Sequence, residues 1–477
     1  MRLHELLDGI ETRTGYTLNP EISNVTDDSR NVRKSSAFVC IRGHKHDGHD
    51  YAKKALEKGA AIVICDHDIG VSKSIVVGDT RKAYALMCAN YYGNCHRKMK
   101  MIGVTGTNGK TTTAFIIKRI LEENGYKVGL IGTVGVQIGK EKYPADYTTP
   151  DSATLHRYFY MMKMAGCDVC VCEVSSQSLS QQRVYGINFD ISVFTNLSRE
   201  HLDYHKKMES YAEAKAELMK ISDISVINAD DEYAEYMKKN AKGKTLTYAI
   251  DSDADVKAEN VKLLHDGVSY TLRTRKGAFD IDYGVIGRFS VYNSMAALAV
   301  CSLMNVDSQR AVKAVAQMNN VCGRTEKVEN SKGINIIIDF AHTPDSLENV
   351  LKTVKNIYDK RVITVFGCGG DRDRTKRPIM GEIACRYSDI VYVTSDNPRT
   401  EDSEKIIDDI VKNLDSNSYV RIADRTEAIR AAIVEAKPGD TVLIAGKGHE
   451  KYQIKGTEKF RYDEREIIRK ILDNEAN

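Results

Sequence analysis

No stretch of this 477-residue chain is apolar for long enough to cross a bilayer. The opening MRLHELLDGIETRTG is too polar for a secretory signal, so a cytoplasmic protein is expected. No run of Lys or Arg marks a nucleic-acid face, and the net charge is only +3, a mild excess that suits anionic small-molecule substrates instead. The eleven cysteines are odd in number and lie mostly in apolar runs such as Val169–Cys172, which predicts reduced, buried thiols rather than disulfides. His44, His46 and His49 lack the Cys or carboxylate pattern that would complete a zinc site. Gly367-Cys368-Gly369-Gly370 lacks the full G-x-G-x-x-G spacing, which argues against NAD.

What is present is 42% hydrophobic and 28% charged, the balance of a globular chain with several cores. At roughly 150 residues per domain, the length predicts three domains. The stretch that organises the rest is Met101–Thr113, MIGVTGTNGKTTT, followed by AFIIKRILEENG. It reads as a short apolar strand, a glycine turn and a helix opened by Lys110-Thr111-Thr112. Gly106 and Gly109 let the backbone turn tightly, so that N–H groups around Thr107 and Asn108 converge on a phosphate. The helix N-terminus adds its partial positive charge. Lys110 can reach the β- and γ-phosphates, and Thr111 offers a hydroxyl to Mg²⁺. Val104 stands where the strict Walker pattern has glycine. ATP binding is predicted.

Residues 1–97 alternate short apolar runs with turns. Ala37–Ile41 and Ala60–Cys65 read as strands, with a helix at Tyr51–Lys58 between them. The polar loops Thr26–Arg30 and Gly43–Gly48 are candidates for holding a ligand. Across 98–322, strand–helix alternation predicts a mostly parallel sheet covered on both faces. Its strands are Val128–Thr133, Val169–Val174, Ile191–Thr195 and Ile224–Asn228, with helices from Ser152, near Ser210–Lys220 and at Val291–Met304. Residues 245–286 carry the period-2 texture of an antiparallel excursion. Across 323–477 the βα alternation returns, with strands at Ile334–Ile338, Arg361–Phe366, Ile390–Thr394 and Thr441–Ala445.

Sheets of this kind hold ligands beyond the carboxyl ends of their strands. Those ends carry Glu173, Thr195-Asn196-Leu197, Asp371–Arg374, Asp396–Arg399 and Lys447–Glu450. Glu173 closes a buried strand, where a carboxylate is costly unless a metal or partner neutralises it. The segment His201-Leu202-Asp203-Tyr204-His205 offers imidazole and carboxylate ligands, which favours a metal role. Composition alone gives Lys215 no role.

These motifs together resemble the Mur ligase family, and within it the members that add the third residue of the peptidoglycan stem peptide. The resemblance runs nearly end to end. It is carried by Thr105–Thr111, Glu173-Val174-Ser175-Ser176, Asn293, Gly323-Arg324, Asp339–Ser346, Gly367–Pro378, Asp396–Arg399 and Gly446–Glu450. Val104 belongs to that family's own variant of the phosphate loop. The resemblance implies three α/β domains: a smaller N-terminal one, a central ATPase with a mostly parallel sheet, and a Rossmann-like C-terminal one. It places the UDP-muramoyl end of a UDP-MurNAc-L-Ala-D-Glu substrate at Ser29, His44, Lys45 and His46, and the peptide end at Thr148, Thr149, Ser175, Gln181 and Arg183. Glu173 and His201 would lie at Mg²⁺, Asn293 and Arg324 at ATP, and Asp339 near the ribose. Lys215 matches a lysine that such enzymes carry as a carbamate (N6-carboxylysine).

The reaction so implied is ATP-dependent amide formation through an acyl phosphate, with a domain closing to exclude water. For the incoming amino acid, Arg399 offers a rigid fork to a carboxylate. Meso-diaminopimelate has a distal carboxylate there, whereas L-lysine has only an ammonium that a guanidinium repels. Arg372, Asp396, Asn397, Pro398, Gly446 and Glu450 would complete the pocket, with Glu450 taking the distal ammonium. Tyr147, Gln177, Glu200, Phe340 and Thr325 depart from the usual family residues. The competing readings are a lysine-adding member, a folylpolyglutamate synthase-like ligase, and a non-catalytic sensor of nucleotide or UDP-peptide. A monomer is expected.

Overall fold

The structure is a computed structural model that describes residues 1–475 except His44, Lys45, Asp146 and Asn319. Three sheets of four, eleven and six strands follow one another along the chain, and a two-stranded ribbon lies near the end. The first is wholly parallel, in the order Asn24–Thr26, Ser36–Val39, Ile62–Cys65, Ser74–Val76. Its two faces bury separate apolar clusters, one around Leu3, Val39 and Ile64, the other around Phe38, Ala52 and Val63. The predicted helix here is Ala52–Glu57, entered through a 3₁₀ turn at Gly48–Tyr51.

The eleven-stranded sheet is parallel at its centre and antiparallel at both margins. Phosphate-loop strand Lys100–Thr105 lies between Phe189–Phe194 and Val169–Glu173, paired parallel to both. Val169–Glu173 is buried along its whole length, as a strand covered on both faces must be. Helices Lys110–Glu123 and Arg288–Ser302 pack on one face, and Ser152–Met164 and Met208–Lys220 on the other.

Two features differ from the sequence reading. The antiparallel excursion starts at Val256, not 245: Lys244–Ala249 pairs parallel with Ser222–Asn228 on one side and with Val256–Leu263 on the other. Alternating polarity marks an edge-like strand of either direction, so it did not settle the sense of pairing. At the opposite margin, Gly135–Ile138 and Glu141–Tyr143 add a short antiparallel extension that the sequence reading did not separate from its surroundings.

The six-stranded sheet runs Glu326–Val328, Asn335–Asp339, Thr441–Ala445, Val362–Phe366, Ile390–Val393, Val420–Arg421, and only the first pair is antiparallel. Inserting the last-arriving long strand, Thr441–Ala445, into the middle brings its following loop, Gly446–Glu450, beside Asp339 and Asp396. Among the described residues no helix is long and apolar enough to cross a membrane.

Candidate active site

The phosphate loop is held from beneath by the end of the neighbouring strand. Thr195 Oγ1 donates to the Asn108 carbonyl at 2.6 Å, and Asn196 Oδ1 accepts the Asn108 N–H at 2.9 Å. The approach is so close that a Cβ on Gly106 would sit 1.8 Å from Thr195 Oγ1, and one on Gly109 2.4 Å from Asn293 Oδ1. Both glycines also have positive φ, 149° and 82°, so their absence of a side chain is required twice over. Lys110 Nζ folds back over the loop and donates to the carbonyls of Gly106 and Thr107, each at 2.9 Å.

Glu173 is fully buried at the end of its strand, yet its carboxylate is satisfied. Oε2 accepts from the hydroxyls of Thr111 at 2.9 Å and Thr133 at 3.0 Å, and Oε1 from the Thr133 N–H at 3.0 Å. Thr133 was not singled out from the sequence, although its place just beyond the apolar run Val128–Gly132 was a usable signal. Arg324 reaches in from the C-terminal domain to donate to Thr111 Oγ1 at 3.2 Å, and stacks 4.7 Å over the Phe340 ring. Asp339 Oδ2 accepts from the Thr325 N–H and hydroxyl, so the departing residue Thr325 serves as that carboxylate's anchor.

His201 opens the short helix Leu202–His205 with φ 56° and lines the same cavity as the phosphate loop. Its side chain is 41% exposed, and burial pushes the imidazole below its usual range despite neighbouring Glu200. Glu200 lies 3.6 Å from His201 Nε2 and 3.1 Å from His342 Nε2. Burial resists ionisation of Glu200, but the two imidazoles outweigh it and hold the carboxyl well below the usual range. Lys215, on Met208–Lys220, is 1% exposed, and its Nζ has the Tyr211 ring 4.6 Å away. Among the described residues it makes no hydrogen bond or ion pair. Burial, reinforced by Lys110, pushes its ammonium well below the ordinary lysine range despite Glu200 and Asp231.

Across the cavity stand the residues of the C-terminal strand ends. Arg399, at φ 52°, donates through Nη1 to the Gly370 carbonyl at 2.8 Å and has no carboxylate partner among the described residues. Burial, with Arg372 next, lowers its affinity for a proton. Asn397 and Glu450 are joined at 2.8 Å, and the fully buried Lys447 donates to Asn397 Oδ1 at 3.0 Å and to Glu450 Oε2 at 3.1 Å. Lys447 was noted only as part of a charged turn; here it already balances Glu450, so a second ammonium would have to share that carboxylate. Asp396 is buried, and a Cβ on Gly446 would lie 2.8 Å from its Oδ2.

One continuous cavity is lined by Asn108, Lys110, Thr111 and His201 on the central side and by Arg324, Asp339, Arg372 and Arg399 on the other. Thr148, Asp396, Asn397, Gly446 and Glu450 line it too, while Glu173, Asn293 and Lys215 lie behind its wall. A second cavity, between the N-terminal and central domains, is lined by Ser29, His46, Arg81, Asp151 and Gln181. Thr149, Ser175 and Arg183 are outside both linings, joined to one another: Thr149 Oγ1 accepts the Ser175 N–H at 3.0 Å, and Arg183 donates to the Thr149 carbonyl at 2.8 Å. Arg183 also lies 5.1 Å over the exposed ring of Tyr147. His44 and Lys45 lie outside the described residues.

Three family models match the chain: "Mur ligase family, catalytic domain" over residues 21–89, "Mur ligase middle domain" over 104–301, and "Mur ligase, glutamate ligase domain" over 323–448. The UDP-N-acetylmuramoyl-L-alanyl-D-glutamate--2,6-diaminopimelate ligase of Clostridium botulinum (strain ATCC 19397 / Type A) is 43% identical over 480 residues, covering 99% of both chains. That of Clostridium perfringens (strain 13 / Type A) is 45% identical over 463 residues, covering 95% of each. A solved structure of a ligase of the same name superposes with a TM-score of 0.73 at 33% identity, covering 100% of this chain and 99% of the other.

Proposed function

The chain belongs to the Mur ligase family, and we propose that it joins meso-2,6-diaminopimelate to the D-Glu carboxylate of UDP-MurNAc-L-Ala-D-Glu at the expense of ATP. The observation that carries this reading is the shared cavity: a glycine loop with Lys110 and Thr111 lines one wall, and Arg399, which has no carboxylate partner among the described residues, lines the other. We assign residues 1–97 to holding the UDP-muramoyl end, 98–322 to ATP, and 323–477 to the amino acid, with the protein acting as a monomer.

In this reading the γ-phosphate of ATP settles on the loop N–H groups beside Lys110, whose two carbonyl bonds hold the ammonium at the loop mouth. An oxygen of the D-Glu carboxylate attacks phosphorus, the bond to the β-phosphate oxygen breaks, and ADP leaves an acyl phosphate. The neutral amine of diaminopimelate then attacks the carbonyl carbon. The tetrahedral intermediate expels phosphate, which takes up the amine proton and leaves as hydrogen phosphate. Arg399 grips the distal carboxylate and so orients that amine. The two-domain wall keeps water from the acyl phosphate.

Thr111 Oγ1 and Glu173 Oε2, a hydroxyl and a carboxylate oxygen 2.9 Å apart at the helix start, are hard oxygen donors of the kind Mg²⁺ takes, with His201 nearby on the cavity wall. Mg²⁺ would supply charge neutralisation for the transferred phosphoryl group. Lys215 fits a carbamate because burial disfavours its ammonium and, among the described residues, no carboxylate pairs with it. It takes up CO₂, loses one proton, and becomes an anion facing Lys110.

The folylpolyglutamate synthase reading is disfavoured by the N-terminal domain and the Asp396–Arg399 turn. The sensor reading is disfavoured by the intact set Lys110, Glu173, His201 and Lys215. The test is ligation by the pure protein with UDP-MurNAc-dipeptide, ATP and Mg²⁺, comparing diaminopimelate with L-lysine. ADP and UDP-tripeptide formation dependent on diaminopimelate is the expected result. No ADP with any amino acid would reject the reaction, and faster use of lysine would reject the specificity.

A further inference from the structure

A second cluster of ligand-type side chains lies in the N-terminal domain, at the end of strand Ile62–Cys65. His49 lies near His44 and His46 in sequence, and the fold brings it to Asp66 and His67. One ligand atom from each of the three lies within 4.8 Å of the others. We propose that His49, Asp66 and His67 bind a divalent transition-metal ion of the Zn²⁺ class, at a site separate from that of the phosphate loop.

The orientation of His49 carries the argument. Its Nδ1 lies 2.5 Å from Asp47 Oδ1, and the same oxygen accepts the His49 backbone N–H at 3.0 Å. A carboxylate only accepts, so Nδ1 carries a proton, and in the neutral ring the lone pair is then on Nε2. This is the arrangement in which an outer carboxylate aims a metal-binding imidazole. The His49 side chain is 7% exposed, and among the described residues nothing hydrogen-bonds its buried Nε2. That nitrogen lies 3.2 Å from Asp66 Oδ1. Two donors each about 2.1 Å from a tetrahedral ion stand about 3.4 Å apart, so the spacing is that of two ligands of one ion.

His67 supplies the third donor and the way in. Its Nδ1 is hydrogen-bonded to Asp66 Oδ1, so ligation through that nitrogen takes the tautomer whose proton is on Nε2, and its ring lies 4.7 Å from that of His49. The His67 side chain is half exposed, which leaves the cluster open to an ion from solvent. Two imidazoles and one carboxylate favour a borderline ion over Mg²⁺, which takes oxygen donors. Arg42 is the competing cation: it lies 3.1 Å from Asp47 and 3.8 Å from Asp66, but it is mostly exposed and free to turn outward. A bound ion would tie the end of the strand to the segment carrying Gly43, His46 and Gly48, which line the N-terminal cavity, and so brace one of its walls.

The full-length protein, stripped of metal and held in excess Mg²⁺, is titrated with Co²⁺ and followed by visible absorption, with Zn²⁺ as displacing ion. One equivalent bound and displaced by Zn²⁺ is expected. His67→Ala and Asp66→Asn should each weaken binding at least tenfold, and His201→Ala should leave it unchanged. Arg42→Ala should tighten it severalfold, an effect a merely structural cluster would not produce. Equal affinity in wild type and His67→Ala, loss in His201→Ala, or unchanged affinity in Arg42→Ala would overturn the site.

Discussion

Asp345, in the first turn of helix Pro344–Ile357, accepts a hydrogen bond from Asn108 of the phosphate loop at 2.7 Å across the boundary between central and C-terminal domains. Its Oδ2 takes a second, from the Ser198 hydroxyl at 3.1 Å. The loop proposed to receive ATP is therefore pinned to the domain proposed to bring the amino acid. Asp345→Ala removes both bonds, worth about 1–3 kcal/mol with a charged acceptor. We expect kcat/KM to fall roughly 10- to 100-fold with little change in thermal stability, measured by phosphate release and by melting.

Arg399 is the proposed selector of the amino acid. Arg399→Ala should reduce kcat/KM for diaminopimelate by about 100-fold, as loss of a bidentate charged contact of roughly 3 kcal/mol requires. ATP affinity, read by nucleotide titration, should stay within about threefold. Equal losses for ATP and diaminopimelate would count against a selective role.

Lys215 gives a prediction about dissolved gas. If its amine is carbamylated, intact-protein mass spectra under native conditions should show the added mass of one CO₂, absent in Lys215→Ala. Turnover should drop in CO₂-depleted buffer and recover on adding bicarbonate. Lys215→Arg, which cannot form the carbamate, should be nearly inactive yet fold.

Two buried histidines should make the fold sensitive to acid. His96 and His156 face each other with ring centroids 5.3 Å apart, and burial pushes them down to about 4 and about 3. An unfolded histidine titrates near ~6.5, so below that pH the unfolded chain binds more protons and stability falls, down to the folded values. From pH 7 to 5 the loss should be about 2 kcal/mol per ring. Urea unfolding at the two pH values checks it, and His156→Phe should roughly halve the difference.

Arg425 and Glu464 form an ion pair at 2.7 Å with neither side chain exposed. Glu464→Ala would leave a guanidinium buried without its carboxylate, and should cost about 3–5 kcal/mol. Replacing both with apolar residues of similar size should cost much less. Denaturant midpoints of the single and double variants test this directly.

The apolar runs made the parallel strands and the order of the three sheets legible, because a strand buried on both faces must be nearly continuous in Val, Ile and Leu. The phosphate loop was legible because its glycines, lysine and threonine are neighbours in the chain. Pairing sense was not, as Lys244–Ala249 shows: an alternating pattern records which face is wet, not which way the next strand runs. Nor were Thr133, Asp345 and the partnership of Lys447 with Glu450, whose roles arise from contacts between distant segments. The cluster of His49 with Asp66 and His67 was hidden for the same reason, since the helix Ala52–Glu57 and a strand separate its members.

The backbone of Arg399 has a price in conformation. At φ 52° a residue with a Cβ is disfavoured by about 1–2 kcal/mol, and glycine is not. A chain selected only for ruggedness would place glycine there, and the guanidinium would vanish with the discomfort. Arg399→Gly should therefore survive heating as well as the natural protein while being unable to tell one diamino acid from another.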